Sequence, residues 1–114
     1  MITVTNRQRL LLAESQTARF EGFDHGSGVS FFWVDTPPET GPKRHWHPYT
    51  ETWVVLAGEV EVSAGEETLR AASGDIVTVG PRTPHELRNC GSANLEMVCI
   101  HASPQFIQEF TADS

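Results

Sequence analysis

Two histidines, His45 and His47, stand two residues apart, and Glu51 follows them. Imidazole nitrogen and carboxylate oxygen are donors that divalent metals accept. In an extended strand, side chains i and i+2 point to the same face, so both imidazoles can converge on one point. Glu51 shares their parity, but a continuous strand rising roughly 3.3 Å per residue would carry it about 20 Å from His45. Ligand bonds are only about 2.0–2.2 Å long. The chain must therefore bend between His47 and Glu51, and Pro48, which donates no ladder hydrogen bond, supplies the reason. Pro48-Tyr49-Thr50 is expected to be a tight reversal that swings Glu51 back beside the two histidines. His85, behind a loop stiffened by Pro81 and Pro84, completes the set. Three imidazoles and one carboxylate with no thiolate differ from structural zinc sites, which are mostly rich in Cys. Such a set suits Zn, Fe, Ni, Cu or Mn, and affinity order does not choose among them. On a six-coordinate ion, four protein ligands leave two positions for water, dioxygen or substrate.

These residues must be held by strands. Ile2 to Thr5 alternates apolar and polar, a short strand pattern, and Leu10 to Leu12 is a brief apolar patch. Residues 14–28 are mixed and polar, closing on the turn-rich Asp24-His25-Gly26-Ser27-Gly28. Val29 to Val34 is dense in β-branched and aromatic residues and predicts a strand covered at least partly on both faces. Residues 36–44 hold three prolines and a glycine and predict a loop. Strands are expected over Glu51 to Ala57, Glu59 to Ser63, Thr68 to Ala71, Ile76 to Val79, His85 to Arg88 and Leu95 to His101, with turns between them. On one face of the first lie Glu51, Trp53 and Val55; on one face of the last lie Leu95, Met97, Cys99 and His101. Ser103-Pro104 predicts a helix start, a capping hydroxyl followed by proline, with a short C-terminal helix over Gln105 to Phe110. Many short strands with turn signals every eight to twelve residues predict a β-sandwich or barrel.

Composition narrows the function. The chain has 114 residues, room for one domain with one core. At 39% apolar residues it is globular rather than disordered. A net charge of -7 argues against nucleic-acid binding, which needs clustered Lys and Arg. No apolar run reaches the length of a membrane span and no charged-then-apolar leader opens the chain, so the expected compartment is the cytoplasm. There, Cys90 and Cys99 are expected to be reduced, mostly buried thiols.

The spacing of these residues resembles the two motifs of the cupin superfamily. The first runs glycine, His-x-His, three or four residues, Glu, six residues, Gly; Gly41, His45-Trp46-His47, Glu51 and Gly58 follow it, with Gly41 closer to His45 than usual. The second runs Gly, five residues, Pro-x-Gly, two residues, His, three residues, Asn; Gly74, His85 and Asn89 fit. Gly80 stands where the proline usually is and Arg82 where the second glycine is, departures that touch loop geometry and not a ligand. The first motif spans about residues 41–58 and the second about 74–89, and the resemblance covers roughly 40–101. It implies an all-β, double-stranded β-helix or jelly-roll barrel with the metal inside one end, residues 1–114 forming a single domain, and His45, His47, Glu51 and His85 as ligands of a divalent transition metal (Fe, Mn, Ni, Zn or Cu). It also implies a homodimer built through the region from Ile2 to Leu12.

The fold does not select the reaction. The leading expectation is a small-molecule enzyme of dioxygenase or isomerase type acting on an oxygen-chelating substrate such as an enediol, diketone or catechol-like compound; the other is a non-catalytic metal- or ligand-binding module. A vestigial, metal-free site is a third. Trp33, Tyr49, Trp53, Met97 and His101 are candidates for a pocket. Each has a plainer reading: Trp33, Trp53 and Met97 as core, Tyr49 as a solvent-facing residue of the bend, and His101 as a core histidine with a polar partner. His25 is expected to be solvated. Cys99 is too apolar in context for a nucleophile. Tyr49, His101 and Arg82 are the candidates for a general base, and none stands out.

Overall fold

The computed structural model describes residues 1–110. Ten strands form it: β1 (Ala18–Phe20), β2 (Ser30–Thr36), β3 (His45–Trp46), β4 (Glu51–Ala57), β5 (Glu59–Ala64), β6 (Glu67–Ala72), β7 (Ile76–Val79), β8 (His85–Asn89), β9 (Leu95–His101) and β10 (Glu109–Phe110). They make two five-stranded antiparallel sheets, ordered β1-β2-β9-β4-β7 and β10-β3-β8-β5-β6. This is the expected all-β jelly roll. Among the described residues no helix is long and apolar enough to cross a membrane.

Period-two alternation decides what lies between the sheets. Trp53 and Val55 of β4, Val60 and Val62 of β5, Leu87 of β8, and Leu95, Met97 and Cys99 of β9 all point inward and are buried. On the same inward rows, two residues along from this apolar core, sit Glu51, His85 and His101, also buried. The barrel therefore has an apolar end and a polar end. Burying such groups costs several kcal/mol each unless they find partners, so the polar end must be internally satisfied.

Glycines allow the tight connections. Gly58, between β4 and β5, has φ +89, and a Cβ there would crowd the Asn94 carbonyl. Gly41 passes so close to β8 that a Cβ would run into the Leu87 carbonyl oxygen. Arg82, like Glu14 and Glu39, has a side chain yet occupies the left-handed region, at φ 58, which costs such a residue about 1 kcal/mol or more. Asn89 ties the turn after β8 together, its amide donating to Thr36 and Ala93 carbonyls while its Oδ1 accepts from Gly91 N.

Three local expectations need correction. Ile2 to Thr5 is not a strand; these residues are exposed, and among the described residues no strand pairs with them. The polar stretch 14–28 contains β1, whose short ladder to β2 is too brief to show as a pattern. The short C-terminal helix is absent. Ser103 Oγ does accept from Gln105 N in the manner of a cap, but residues 106–110 run extended. Phe106 stacks on Phe32 at 4.5 Å, its N–H donates to Glu21, and Glu109–Phe110 pair with β3. Tertiary contacts override the local helix signal.

Candidate metal centre

Sheet register brings the site together in two pairs. His45 lies opposite His85 where β3 meets β8, and Glu51 lies opposite His101 where β4 meets β9. One pair belongs to each sheet. Pro48-Tyr49-Thr50 carries the chain from β3 in one sheet to β4 in the other, as the expected reversal requires. The two pairs then face each other across the barrel, and the donor atoms of His45, His47, Glu51 and His85 all lie within 4.8 Å of one another.

The second nitrogen of each imidazole fixes the first. His45 Nδ1 donates to Lys43 O at 2.6 Å, His47 Nδ1 to Ile107 O at 2.8 Å, and His85 Nδ1 to Thr83 O at 2.8 Å. A carbonyl oxygen can only accept, so all three carry the proton on Nδ1. Their neutral forms present a bare Nε2 lone pair to the interior, the arrangement in which metal-bound histidines are usually held. Burial lowers the His45 pKa, with His85 and His47 adding to the effect against the opposing hydrogen bond to Lys43, which favours that neutral form.

Whether a cation fits can be tested on two atoms. His47 Nε2 is buried without a hydrogen-bond partner; it lies 3.2 Å from Glu51 Oε1, but at an angle that makes no hydrogen bond. His85 Nε2 lies 3.1 Å from the same oxygen while its Nδ1 is already committed. A neutral imidazole has one N–H, so a positive charge is called for between His85 Nε2 and the carboxylate, either a proton or a metal cation. Burial alone would push Glu51 up; the facing imidazoles of His101, His47 and His85 outweigh it and hold this carboxyl well below the usual range. Glu51 is thus an anion sealed in the interior, where a carboxylate needs a positive partner. The residues present fit a divalent metal.

His101 plays a different part. Its Nε2 lies 3.2 Å from Glu51 Oε2, and its Nδ1 is 2.6 Å from Tyr49 Oη. Since the carboxylate only accepts, Nε2 carries the proton and Nδ1 accepts from the Tyr49 hydroxyl, the opposite tautomer to the other three. Tyr49 Oη in turn accepts from Ile107 N at 3.2 Å. His101 is therefore the core histidine with partners on both nitrogens, and it holds one oxygen of Glu51 while the other faces the three imidazoles. Tyr49 does not simply face water; burial raises its pKa, opposed by the Ile107 hydrogen bond and reinforced by Glu51. The sequence carried no signal for Ile107, whose backbone C=O serves His47 and whose N–H serves Tyr49.

The other candidates fall away from the site. Trp33 points to the opposite face of β2, where its Nε1 donates to Glu96 and Arg7 sits over its ring. Trp53 and Met97 are fully buried in the apolar end. Arg82 is exposed; its contribution is a backbone N–H donated to His47 O at 2.7 Å. Both cysteines are free, and burial pushes the Cys99 thiol up. His25 stacks on Phe20 rather than standing free in solvent. A cavity of about 360 Å³ opens beside the cluster, and His45, Glu51, His85 and His101 line its floor.

Comparison with known proteins places this geometry. A family model described as Cupin domain matches residues 32–101, more than half of the chain. A mannose-1-phosphate guanylyltransferase of Salmonella typhimurium is 30% identical over 66 residues, covering 58% of this chain and 14% of that protein. Among solved structures, an oxalate oxidase superposes with a TM-score of 0.76 at 19% identity, covering 95% of this chain and 63% of the other. A Lactobacillus farciminis oxalate decarboxylase gives 0.72 at 19%, covering 86% and 31%. A Bacillus subtilis oxalate decarboxylase, studied for its Mn(II) centers, gives 0.77 at 18%, covering 90% and 30%. At these identities the structural likeness is one of fold, and the chain spans only part of each of these proteins.

Proposed function

The chain belongs to the cupin family, and on that footing we propose that it binds one divalent transition metal through His45, His47, Glu51 and His85 and acts on a small molecule that presents oxygen atoms to that metal. The observation that carries this reading is the shared tautomer of three imidazoles, each donating Nδ1–H to a main-chain carbonyl and turning Nε2 toward one carboxylate. The manganese of the Bacillus subtilis protein supports an ion of that class; Fe, Ni, Zn and Cu suit the same donors. Once bound, such an ion supplies Lewis acidity, and a redox-active one also supplies dioxygen chemistry.

The chain's own residues do the remaining work. The three carbonyls hold the rings in place. His101 pins Glu51 Oε2, and Tyr49 keeps a proton against His101 Nδ1. The apolar end excludes water from beneath the cluster. Dioxygenase- or isomerase-like turnover is the reaction class proposed, in a chain that forms one cupin domain over 1–114 and works in the cytoplasm. A second copy is proposed as partner, covering Ile2 and Val4, which stand 92% and 94% exposed; sedimentation of the purified chain checks this. A non-catalytic module is the second reading. It is favoured by the guanylyltransferase match, in which the shared stretch is a small part of a protein named for other chemistry.

Metal content after dialysis against Mn(II), Fe(II) or Zn(II), followed by oxygen uptake with diketones and phenols, tests the proposal. One ion per chain and substrate-dependent uptake are expected, and Glu51→Ala should lower occupancy sharply. Unchanged occupancy in that variant would overturn the ligand assignment. Full occupancy with no turnover of any kind moves the reading to the binding module.

A further inference from the structure

We propose that the cavity beside the cluster selects a singly charged oxygen chelator with an apolar body, such as an enolised 1,3-diketone or a singly ionised ortho-dihydroxyarene, and rejects small dianions such as oxalate. The inference rests on the metal-binding reading above and deepens it.

Charge balance and wall chemistry carry it. A divalent ion held by one carboxylate and three neutral imidazoles leaves a formal charge of +1. A monoanionic ligand brings the centre to neutrality, whereas a dianion leaves it at -1. A buried uncompensated charge is expensive, so a dianion needs a further cation within reach. Among the described residues lining the cavity there is no Lys and no Arg. Its walls are Leu12, Phe32, Val34, Leu87 and Cys99, and its rim carries only neutral polar groups, among them Thr17 and Gln108. Net charge on the whole chain is -7, which also repels dianions at a distance.

The same walls reward an apolar body. Phe32 presents its ring beside His101 in an edge arrangement at 5.9 Å and is backed by Phe106. Phe32 and Cys99 lie on facing positions of paired strands β2 and β9, and Val34 follows two residues along β2. At about 360 Å³ the cavity accepts a ring-sized substituent in addition to two metal-binding oxygens. Apolar surface removed from water favours binding, so a larger apolar substituent should bind more tightly until the walls are filled. Oxalate, with no apolar surface, gains nothing from them. The oxalate enzymes therefore share this chain's fold without sharing the ligand its cavity suits.

The test uses the full chain loaded with Mn(II), with metal retention verified after each titration. Binding of oxalate, acetylacetone and 1-phenyl-1,3-butanedione is followed by calorimetry and by the Mn(II) EPR signal. The phenyl diketone is expected to bind at least about tenfold more tightly than oxalate, with acetylacetone between them. Leu12→Lys, at a rim position already 40% exposed, places an ammonium by the cavity and should shift the ratio several-fold toward oxalate. A metal-loaded chain that binds oxalate as tightly as either diketone overturns the proposal alone, as does a ratio that Leu12→Lys leaves unmoved. A chain that takes up no Mn(II) overturns the metal-binding reading and this proposal together.

Discussion

At the scale of single residues, the centre is a problem in proton placement. Three histidines commit Nδ1–H to carbonyls of Lys43, Ile107 and Thr83, and a fourth, His101, commits Nε2–H to Glu51. Changing Tyr49 to Phe removes the hydroxyl that sets the His101 tautomer. Groups of this kind behind metal ligands are worth about 10–100-fold in affinity. Tyr49→Phe should therefore weaken metal binding by about tenfold with the fold intact, measured by competition with a chelating dye; an unaltered affinity would remove Tyr49 from the account. Acid should act through the same groups. Glu51 and His45 are both held below their ordinary values of 4.5 and 6.5, the first by facing imidazoles against its burial, the second chiefly by burial. For each, the unfolded chain takes up the proton more readily than the folded one. Their contributions to stability are present above the unfolded values and are lost as pH falls, first His45 below 6.5 and then Glu51 below 4.5. The Tm of the metal-free chain should fall steadily between pH 7 and 4; a flat profile would contradict it. Spacing made His45, His47, Glu51 and His85 legible, because residue type and parity are written locally. The partners of His101 were not legible, because Glu51 meets it only through the register of β4 against β9.

At the scale of elements, the loops behind the histidines are as constrained as the strands. The Arg82 N–H holds His47 O while Arg82 itself sits at φ 58. The side chain is exposed, and the left-handed backbone beneath it costs stability. Arg82→Gly should raise stability by about 0.5–1 kcal/mol, the left-handed penalty less the added chain entropy of glycine, read from denaturant midpoints. Loss of stability would mean that the Arg82 side chain contributes more than its conformation costs. The turn at Pro48 was readable because proline cannot join a ladder, and the strands from Glu51 to His101 were readable from alternation. The C-terminal segment was not. Ser103-Pro104 carries a sound local helix signal, yet Phe106 has Phe32 and His101 to stack on, and Ile107 has His47 and Tyr49 to bond. Of these, Phe32, His47 and Tyr49 lie some 50 or more residues away in sequence, where local propensity says nothing.

At the scale of the whole molecule, two antiparallel sheets divide the interior between an apolar end that supplies the stability and a polar end that spends part of it. The polar end is tolerable because nearly every buried donor and acceptor there has a partner, with His47 Nε2 left over. A cation at that point satisfies the remaining atom and the buried carboxylate at once. An anomalous difference map from crystals grown with Mn(II) or Co(II) measures this directly. One strong peak per chain is expected, about 2.0–2.3 Å from Nε2 of His45, His47 and His85 and from a Glu51 oxygen. A map without a peak there at saturating metal, or with one bound through other residues, would contradict it.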